Sequence, residues 1–274
     1  MTQDPTAMER TRFDLEGIDP FDLSGRHALV TGATTDLARA MATALAEAGA
    51  DVSATTLHDD PAEAAAAANI VAACAAMGRH GTVRQVDLAS PPDVAAAVAA
   101  IESEVAPVDI LVNAAHGANI KPILEATLDD WNREILCNAT TVFVASRAVA
   151  PGMIARGRGR IVNLVSVLHD RGAPNAAVFG ASQGAIVGFT KSAGLEWGRG
   201  TGVTVNALAL GFLDGVPGIQ ADPAVRGILE RYVPLRRLGT PEDLAGAVVY
   251  LCSDHAGFVD SELVLVDGAI AVHA

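Results

Sequence analysis

Four side chains that could transfer protons follow two neighbouring predicted strands. His116 comes shortly after the fourth strand, and Ser166, His169 and Asp170 come just after the fifth. Because the carboxyl ends of parallel strands meet in one crevice, these groups and residues 211–214, after the sixth strand, could share a pocket. They would suit acid–base chemistry without a cofactor, such as elimination, aldol cleavage or cyclisation. They also suit an ordinary surface loop, since adjacent side chains usually point apart.

The elements that would position these groups alternate between short apolar strands and long helices rich in alanine and leucine. Strands are predicted at 27–31, 51–56, 82–86, 109–112, 160–164, 203–208 and 262–266, and helices at 37–48, 61–77, 92–105, 131–156, 175–197 and 241–253. This alternation predicts a single α/β domain, a doubly wound parallel sheet of about seven strands with helices on both faces. We expect the domain to span 21–274 after an irregular arm at 1–20. A long irregular connection is predicted at 211–240, and such connections often form a lid over a binding site.

The composition excludes several classes of protein. Of the 274 residues, 50% are hydrophobic and 19% are charged, which excludes disorder for most of the chain. The formal net charge of −13 opposes binding to nucleic acid or to an anionic membrane, and no apolar run is long enough to span a bilayer. Three widely spaced cysteines without a CxxC pair indicate reduced thiols and no metal site. With no signal-peptide pattern, we expect a cytoplasmic protein.

Several short segments, taken together, resemble the short-chain dehydrogenase/reductase family. They are VTGA with Gly32, VDL with Asp87, DILVNAA with Asn113, CNATTVFVASRA with Asn138, GRIVNLVSV with Ser166, VNALALG with Gly211, GTPEDLAGAVVYLCSD and VLVDG. The resemblance covers residues from about 21 to 268, and the β-ketoacyl reductase-like members are the nearest in spacing. It implies a Rossmann-like fold that binds NAD(P)H and a small-molecule substrate. It also implies homo- or hetero-oligomers formed through the helices at 131–156 and 175–197 and through the last strand.

The resemblance further implies which positions carry the chemistry. The family uses Ser, Tyr and Lys, often with Asn; its Ser matches Ser166 and its Asn matches Asn138. Its Tyr falls thirteen residues after the Ser, at Phe179, and its Lys four residues later, at Gln183. A phenyl ring has no proton to give to the alkoxide formed on hydride transfer, and losing a general acid lowers a rate by ~10²–10⁴. The candidate catalytic residues that remain are His116, Asn138, Ser166 and His169, while Phe179 and Gln183 are interpreted as packed residues of a helix.

The loop expected to hold the cofactor is also altered. The family pattern TGxxxGxG reads TGATTDLA, with Asp36 and Ala38 in place of the second and third glycines. The Asp36 carboxylate would face the pyrophosphate, and each pair of like charges ~4 Å apart repels by roughly 4 kcal/mol. Arg39 could offset that charge, and Asp36 also suits the role of an acidic N-cap of the next helix. The cofactor positions that the family implies are Gly32, Asp36, Asp87 and Asn113.

These residues leave three functions open. The first is a redox-inactive subunit that binds no cofactor and pairs with an active chain of the same family, which acts on an acyl-thioester or polyketide-like substrate. The second is a cofactor-independent lyase, isomerase or cyclase that uses the old substrate cleft. The third is an NAD(P)H-dependent ketoreductase with altered residues, which requires Arg39 to rescue the loop. Turnover without nucleotide would distinguish the second from the first, and nucleotide binding would indicate the third.

Overall fold

In the described part of the chain, seven parallel strands form one sheet. The computed structural model describes residues 21–56, 61–115, 117–216 and 218–272, and the arm predicted at 1–20 lies outside them. The strands are β1 (His27–Thr31), β2 (Asp51–Thr56), β3 (Val83–Gln85), β4 (Ile110–Asn113), β5 (Gly159–Ser166), β6 (Val203–Leu210) and β7 (Leu263–Val266). Their order across the sheet, β3-β2-β1-β4-β5-β6-β7, confirms the predicted doubly wound, Rossmann-like domain. The strand order reverses between β1 and β4, and such switch points are where these folds bind ligands.

Helices cover both faces of this sheet. They are α1 (Asp36–Glu47), α2 (Pro61–Ala76), α3 (Pro91–Glu104), α4 (Leu128–Ile135), α5 (Thr141–Arg156), α6 (Ala177–Trp197), α7 (Pro223–Tyr232) and α8 (Ala245–Cys252). Thr35 caps α1, because its Oγ1 accepts a hydrogen bond from Ala38 N at 3.1 Å. This corrects the predicted N-cap: Asp36 is the first residue of α1, one position after the cap. At the end of α5, Gly157 adopts the left-handed conformation that often terminates helices.

Besides shifts at the ends of elements and a 3-10 turn, Pro241–Leu244, at the start of the helix predicted at 241–253, the structure differs from the predicted elements in two places. The long helix predicted at 131–156 begins at Leu128 and contains a π-helical turn, Leu136–Thr140, between α4 and α5. A π turn inserts one residue into the helical hydrogen-bonding pattern, which apolar periodicity does not reveal. The connection predicted to be irregular at 211–240 contains the helix α7, which Asp222 caps by accepting a hydrogen bond from Ala224 N at 2.9 Å.

Two apolar layers hold the helices against the sheet. Val30 and Val112 pack with α1, α2 and α8 on one face, whereas Leu29 and Leu111 pack with α3, α5 and α6 on the other. Successive residues of a strand point to opposite faces, so strands covered on both faces are mostly apolar and do not alternate between apolar and polar residues. The continuous apolar runs in the sequence therefore correspond to this buried central sheet.

Candidate functional site

The loop between β1 and α1 lies at the switch point and forms the first part of the candidate site. Gly32 has a φ of 66°, and a Cβ atom there would lie 2.5 Å from Ala115 Cα, so only glycine fits. The exposed Asp36 accepts a hydrogen bond from Arg39 at 3.0 Å. A Cβ atom on Gly215, in the loop after β6, would lie 3.7 Å from Asp36 Oδ2. The Asp36 carboxylate therefore stands between the N-terminus of α1 and the loop after β6.

Asn113 and Asp87, two further positions implied for the cofactor, differ in exposure. Asn113 is the buried last residue of β4, and its Nδ2 donates to Ser146 Oγ at 3.0 Å and to Asn163 Oδ1 at 2.8 Å. These bonds direct the Asn113 side chain into the core, where it links β4 to β5 and α5. Asp87 lies beyond the end of β3 and is exposed to solvent, and its Oδ1 accepts a hydrogen bond from Ala89 N at 2.9 Å.

The π turn between α4 and α5 places Asn138 against the loop that follows β4. Its Oδ1 accepts from Gly117 N at 3.2 Å and its Nδ2 donates to Gly117 O at 3.1 Å. The same Nδ2 lies 2.9 Å from Glu134 Oε1, and Glu134 Oε2 accepts from Asn119 N at 3.1 Å. Glu134 is 4% exposed, and burial raises the pKa of its carboxyl group. Asn138 is thus bonded to the loop on one side and to a buried acid on the other.

Glu134 is a functional candidate that sequence reasoning missed. Next to it, Asp130 accepts hydrogen bonds from Lys121 at 2.8 Å and from Arg133 at 2.7 Å, and the Lys121 bond holds the pKa of Asp130 well below its usual range. Asp130 therefore looks like an ordinary ion-paired residue, whereas Glu134 contacts the candidate Asn138. The signal that could have found Glu134 is its spacing of four residues from Asn138, which places both on one helix face.

Ser166 and Gln183 meet at the end of β5. Ser166 is the last residue of this strand, and its N–H donates to Gln183 Oε1 at 2.9 Å. Gln183 is fully buried, and its Nε2 donates to Ser182 Oγ at 3.2 Å. Ser166 Oγ accepts a hydrogen bond from Leu168 N at 3.2 Å. Both polar ends of the Gln183 side chain are therefore bonded inside the protein, so this side chain anchors the strand end.

Phe179 belongs to a group of apolar side chains that covers the carboxyl ends of the strands, which we call the apolar cap. The buried members of the apolar cap are Val167, Leu168, Ala176, Phe179, Phe212, Leu229, Val233, Leu238 and Ile270. They come from the segments after β5, β6 and β7 and from the helices α6 and α7. Phe179 itself is 2% exposed. The position where the family has its tyrosine therefore lies inside a small apolar core.

Little space remains beside Ser166. The cavity that Ser166 and Phe179 line has a volume of about 20 Å³, which is enough for about one water molecule. Gln220 also lines it, and its Nε2 donates to Leu213 O at 3.1 Å and to Val216 O at 2.8 Å. These two bonds fasten the loop after β6 beside the cavity, so the crevice is narrow at this end.

The other candidate residues do not contact the hydroxyl group of Ser166. His169 Nδ1 lies 2.9 Å from the Ser166 carbonyl oxygen, and His116 lies outside the described residues. Asp214, in the segment 211–214, pairs with Arg226 of α7 at 2.5 Å, and this bond lowers the pKa of the Asp214 carboxyl group. Among the described residues, no histidine or carboxylate is hydrogen-bonded to Ser166 Oγ.

The residues present fit a nicotinamide dinucleotide poorly. Gly32 keeps the tight turn that a pyrophosphate needs, but the exposed Asp36 carboxylate adds a negative charge at the adjoining helix N-terminus. At the reactive end, the cavity beside Ser166 has a volume of only about 20 Å³, and Gln183 is already bonded to Ser166.

The described ranges contain neither a candidate metal cluster nor a helix that could span a membrane. Within them, no three His, Cys, Asp or Glu side chains are grouped so that they could hold a metal ion. Of the helices that the structure describes, none has the length and apolarity needed to cross a membrane.

Comparison with known proteins relates the chain to oxidoreductases. The sequence model of a family described as enoyl-(acyl carrier protein) reductase matches residues 32–270. Gluconate 5-dehydrogenase from Gluconobacter oxydans is 36% identical over 256 residues, which cover 93% of this chain and 98% of that protein. A 3-oxoacyl-(acyl-carrier-protein) reductase from Vibrio cholerae is 32% identical over 249 residues, which cover 91% and 98%. The crystal structure of a gluconate 5-dehydrogenase from Burkholderia cenocepacia, in complex with NADP and tartrate, has a TM-score of 0.86 at 31% identity and covers 93% of this chain and 99% of that one.

Proposed function

This chain belongs to the short-chain dehydrogenase/reductase family of oxidoreductases, and we propose that it is a redox-inactive member that serves as the non-catalytic partner of an active dehydrogenase or reductase chain. One observation carries the proposal: Phe179 and Gln183, at the positions of the family's Tyr and Lys, are buried beside a narrow cavity. Family membership describes the fold, whereas function has to be argued from the site.

The chemistry of the reactive end supports this proposal. NAD(P)H supplies a hydride when it is bound, and reduction of a ketone then requires a proton at the carbonyl oxygen. The Phe179 ring has no exchangeable proton, and Gln183 is neutral and bonded to Ser166 N. Removing a general acid lowers a rate by ~10²–10⁴ even when the substrate binds normally. The cavity beside Ser166 is also small, so we expect the chain to have no redox activity of its own.

The names of the relatives suggest what the active partner would act on. A relative from Allochromatium vinosum, 34% identical over 248 residues, is named acetoacetyl-CoA reductase, and the Vibrio cholerae relative is named for an acyl carrier protein substrate. We therefore propose an acyl-thioester or polyketide-like substrate for the pair. The relatives named gluconate 5-dehydrogenase make sugar acids the second class to assay.

The surface of α4, α5 and α6 is where we place the partner. Trp131, Leu136 and Phe143 are each more than 40% exposed there. Phe143 packs edge-on against Phe189 of α6, with ring centroids 6.0 Å apart, so α5 and α6 present one continuous apolar surface. Exposed apolar patches on helices mark sites of association. A second copy of this chain could also occupy the surface, which would give a homo-oligomer.

Calorimetric titration with nucleotides tests the redox-inactive part of the proposal. We expect no binding of NADH or NADPH to the purified chain. ADP-ribose, which lacks the nicotinamide ring, is the matched probe, and Asp36→Gly with Ala38→Gly is the matched variant. If this variant bound ADP-ribose but not NADH, the nicotinamide end of the site would be the part that prevents cofactor binding. Micromolar binding of NADH or NADPH to the wild-type chain would overturn the proposal.

Co-expression tests the partner. We expect the chain to co-elute with a family member of the same genome that has an intact YxxxK motif, and to change that member's activity on acetoacetyl-CoA or gluconate. Phe143→Asp should abolish co-elution, whereas Ile228→Asp, which places the same charge at an exposed apolar position on α7, should not. A stable homo-oligomer that never co-elutes with such a chain would count against the proposal.

A second candidate function is an NAD(P)H-dependent ketoreductase. The observation that favours it is the NADP-bound crystal structure at 31% identity. It predicts measurable wild-type activity that increases when Phe179→Tyr is combined with Gln183→Lys. The cofactor-independent enzyme lacks a comparable observation, because His169 contacts the carbonyl oxygen of Ser166 and not its hydroxyl.

A further inference from the structure

A second pocket adjoins the cavity beside Ser166 and shares the loop after β6 with it. Its apolar lining is Phe212, Leu213, Val233, Leu235 and Val266, at the ends of β6 and β7. Its volume is about 160 Å³, compared with about 20 Å³ for the cavity beside Ser166. A protein cavity of roughly 150 Å³ lined by Leu, Ile and Phe binds benzene. The pocket is therefore large enough for one small ring.

Two glycines in the wall keep this space open. A Cβ atom on Gly239 would lie 2.6 Å from Leu213 Cδ2, and one on Gly268 would lie 2.8 Å from Val233 Cγ1. Gly268 also has a φ of 63°, which side-chain-bearing residues rarely adopt. Any larger residue would displace Leu213 or Val233, which are both lining side chains. The volume of the pocket thus depends on glycine at both positions.

The charged groups at the rim already have partners. Arg237 donates to the two carboxylate oxygens of Asp243 at 2.5 and 2.8 Å. Asp267 accepts from Ala269 N at 2.9 Å and from Ala271 N at 2.8 Å. An entering ligand therefore needs no charge to satisfy the rim. The rim carries two carboxylates, of Asp243 and Asp267, and one guanidinium, of Arg237, so its net negative charge would also repel an anion.

We propose that this pocket binds a small uncharged apolar group, with the size of a benzene ring or of a short branched acyl chain. The five apolar lining residues would supply its contacts. Phe212 and Leu213 also line the cavity beside Ser166, so the two spaces are separated only by the segment 211–213. A bound ligand would restrain this segment, which also forms one wall of the cavity beside Ser166.

Thermal unfolding of the full chain with toluene and with benzoate tests the proposal, since benzoate presents the same ring with a negative charge. We expect toluene to raise Tm and benzoate to leave it unchanged. Leu235→Ala, at the exposed rim, should weaken the toluene response by about threefold or more, because it removes about three carbons that a bound ring would cover. Ile228→Ala is the matched control, an exposed apolar residue of α7 that is not part of the lining, and should keep the full response.

Val266→Phe should fill the pocket and abolish the response to toluene. If this variant does not fold, Leu235→Ala against Ile228→Ala decides the question. The absence of any Tm increase with toluene would overturn the proposal, as would an equal response in Leu235→Ala and Ile228→Ala. Equal responses to toluene and benzoate would overturn the charge selectivity. None of these results depends on nucleotide binding or on a partner chain.

Discussion

Replacing Gln183 with methionine distinguishes a side chain that anchors the strand end from one that faces a ligand site. Methionine has a similar length and volume but cannot accept the hydrogen bond from Ser166 N, which lies 2.9 Å from Gln183 Oε1. Gln183 is 0% exposed, so water does not replace the lost acceptor. A buried amide left without a partner costs about 1–3 kcal/mol. We therefore expect Gln183→Met to lower the free energy of unfolding by about that amount.

Urea unfolding followed by tryptophan fluorescence measures this loss, since Trp197 lies on the same helix as Gln183. In large domains each kcal/mol corresponds to about 2–4 °C, so Tm should fall by roughly 2–12 °C. Lys191→Met is the control, because Lys191 is exposed on α6 and should change stability by less than about 0.5 kcal/mol. If Gln183→Met were as stable as Lys191→Met, the anchoring role would be refuted and an accessible site at this position would be favoured.

Buried side chains elsewhere give three more expectations. Phe179→Ala should cost about 3–5 kcal/mol in urea unfolding, because it empties space in the apolar cap; a loss under about 1 kcal/mol would contradict the packing. Burial lowers the pKa of His27 in the folded chain, so below pH about 6.5 the unfolded chain binds a proton more readily than the folded one. The free energy of unfolding is therefore unaffected by His27 above that pH and declines below it, by up to about 1.4 kcal/mol per pH unit. Urea unfolding at a series of pH values should show a smaller decline for His27→Gln. An unchanged dependence of the free energy of unfolding on pH would show that His27 is not its source. Burial raises the pKa of Cys252 to about 12 and of Cys74 to about 11, so mass spectrometry should find neither alkylated by iodoacetamide near neutral pH until the chain unfolds.

The strands could be predicted because burial on both faces leaves a direct mark on the sequence. The second strand was predicted at 51–56 and is observed at Asp51–Thr56, and the order of elements was sufficient for the topology. The helix α7 was missed because only Leu229 among its residues is buried. One buried residue gives no apolar periodicity. The helix α7 depends on its N-cap residue and on packing against the apolar cap, and this packing cannot be read from the sequence.

The site was predicted only as a set of positions. Phe179 and Gln183 were identified by counting from Ser166, and this spacing is a property of the chain alone. The direction of the Gln183 side chain was not predictable, because its acceptor oxygen contacts Ser166 N across seventeen residues of sequence. Glu134 was missed for a related reason: its burial depends on Asn119 and Asn138 lying against it in three dimensions.

The two altered catalytic positions contribute to the stability of the fold. Phe179 keeps the ring of a tyrosine but packs it with Leu229, Val233 and Ile270 in the apolar cap. Gln183 keeps a polar group but directs it at Ser166 N. Phe179 also lines the cavity beside Ser166, so widening that cavity would expose part of the apolar cap to water. Changes at these two positions that enlarge the site are therefore expected to reduce the stability of the chain.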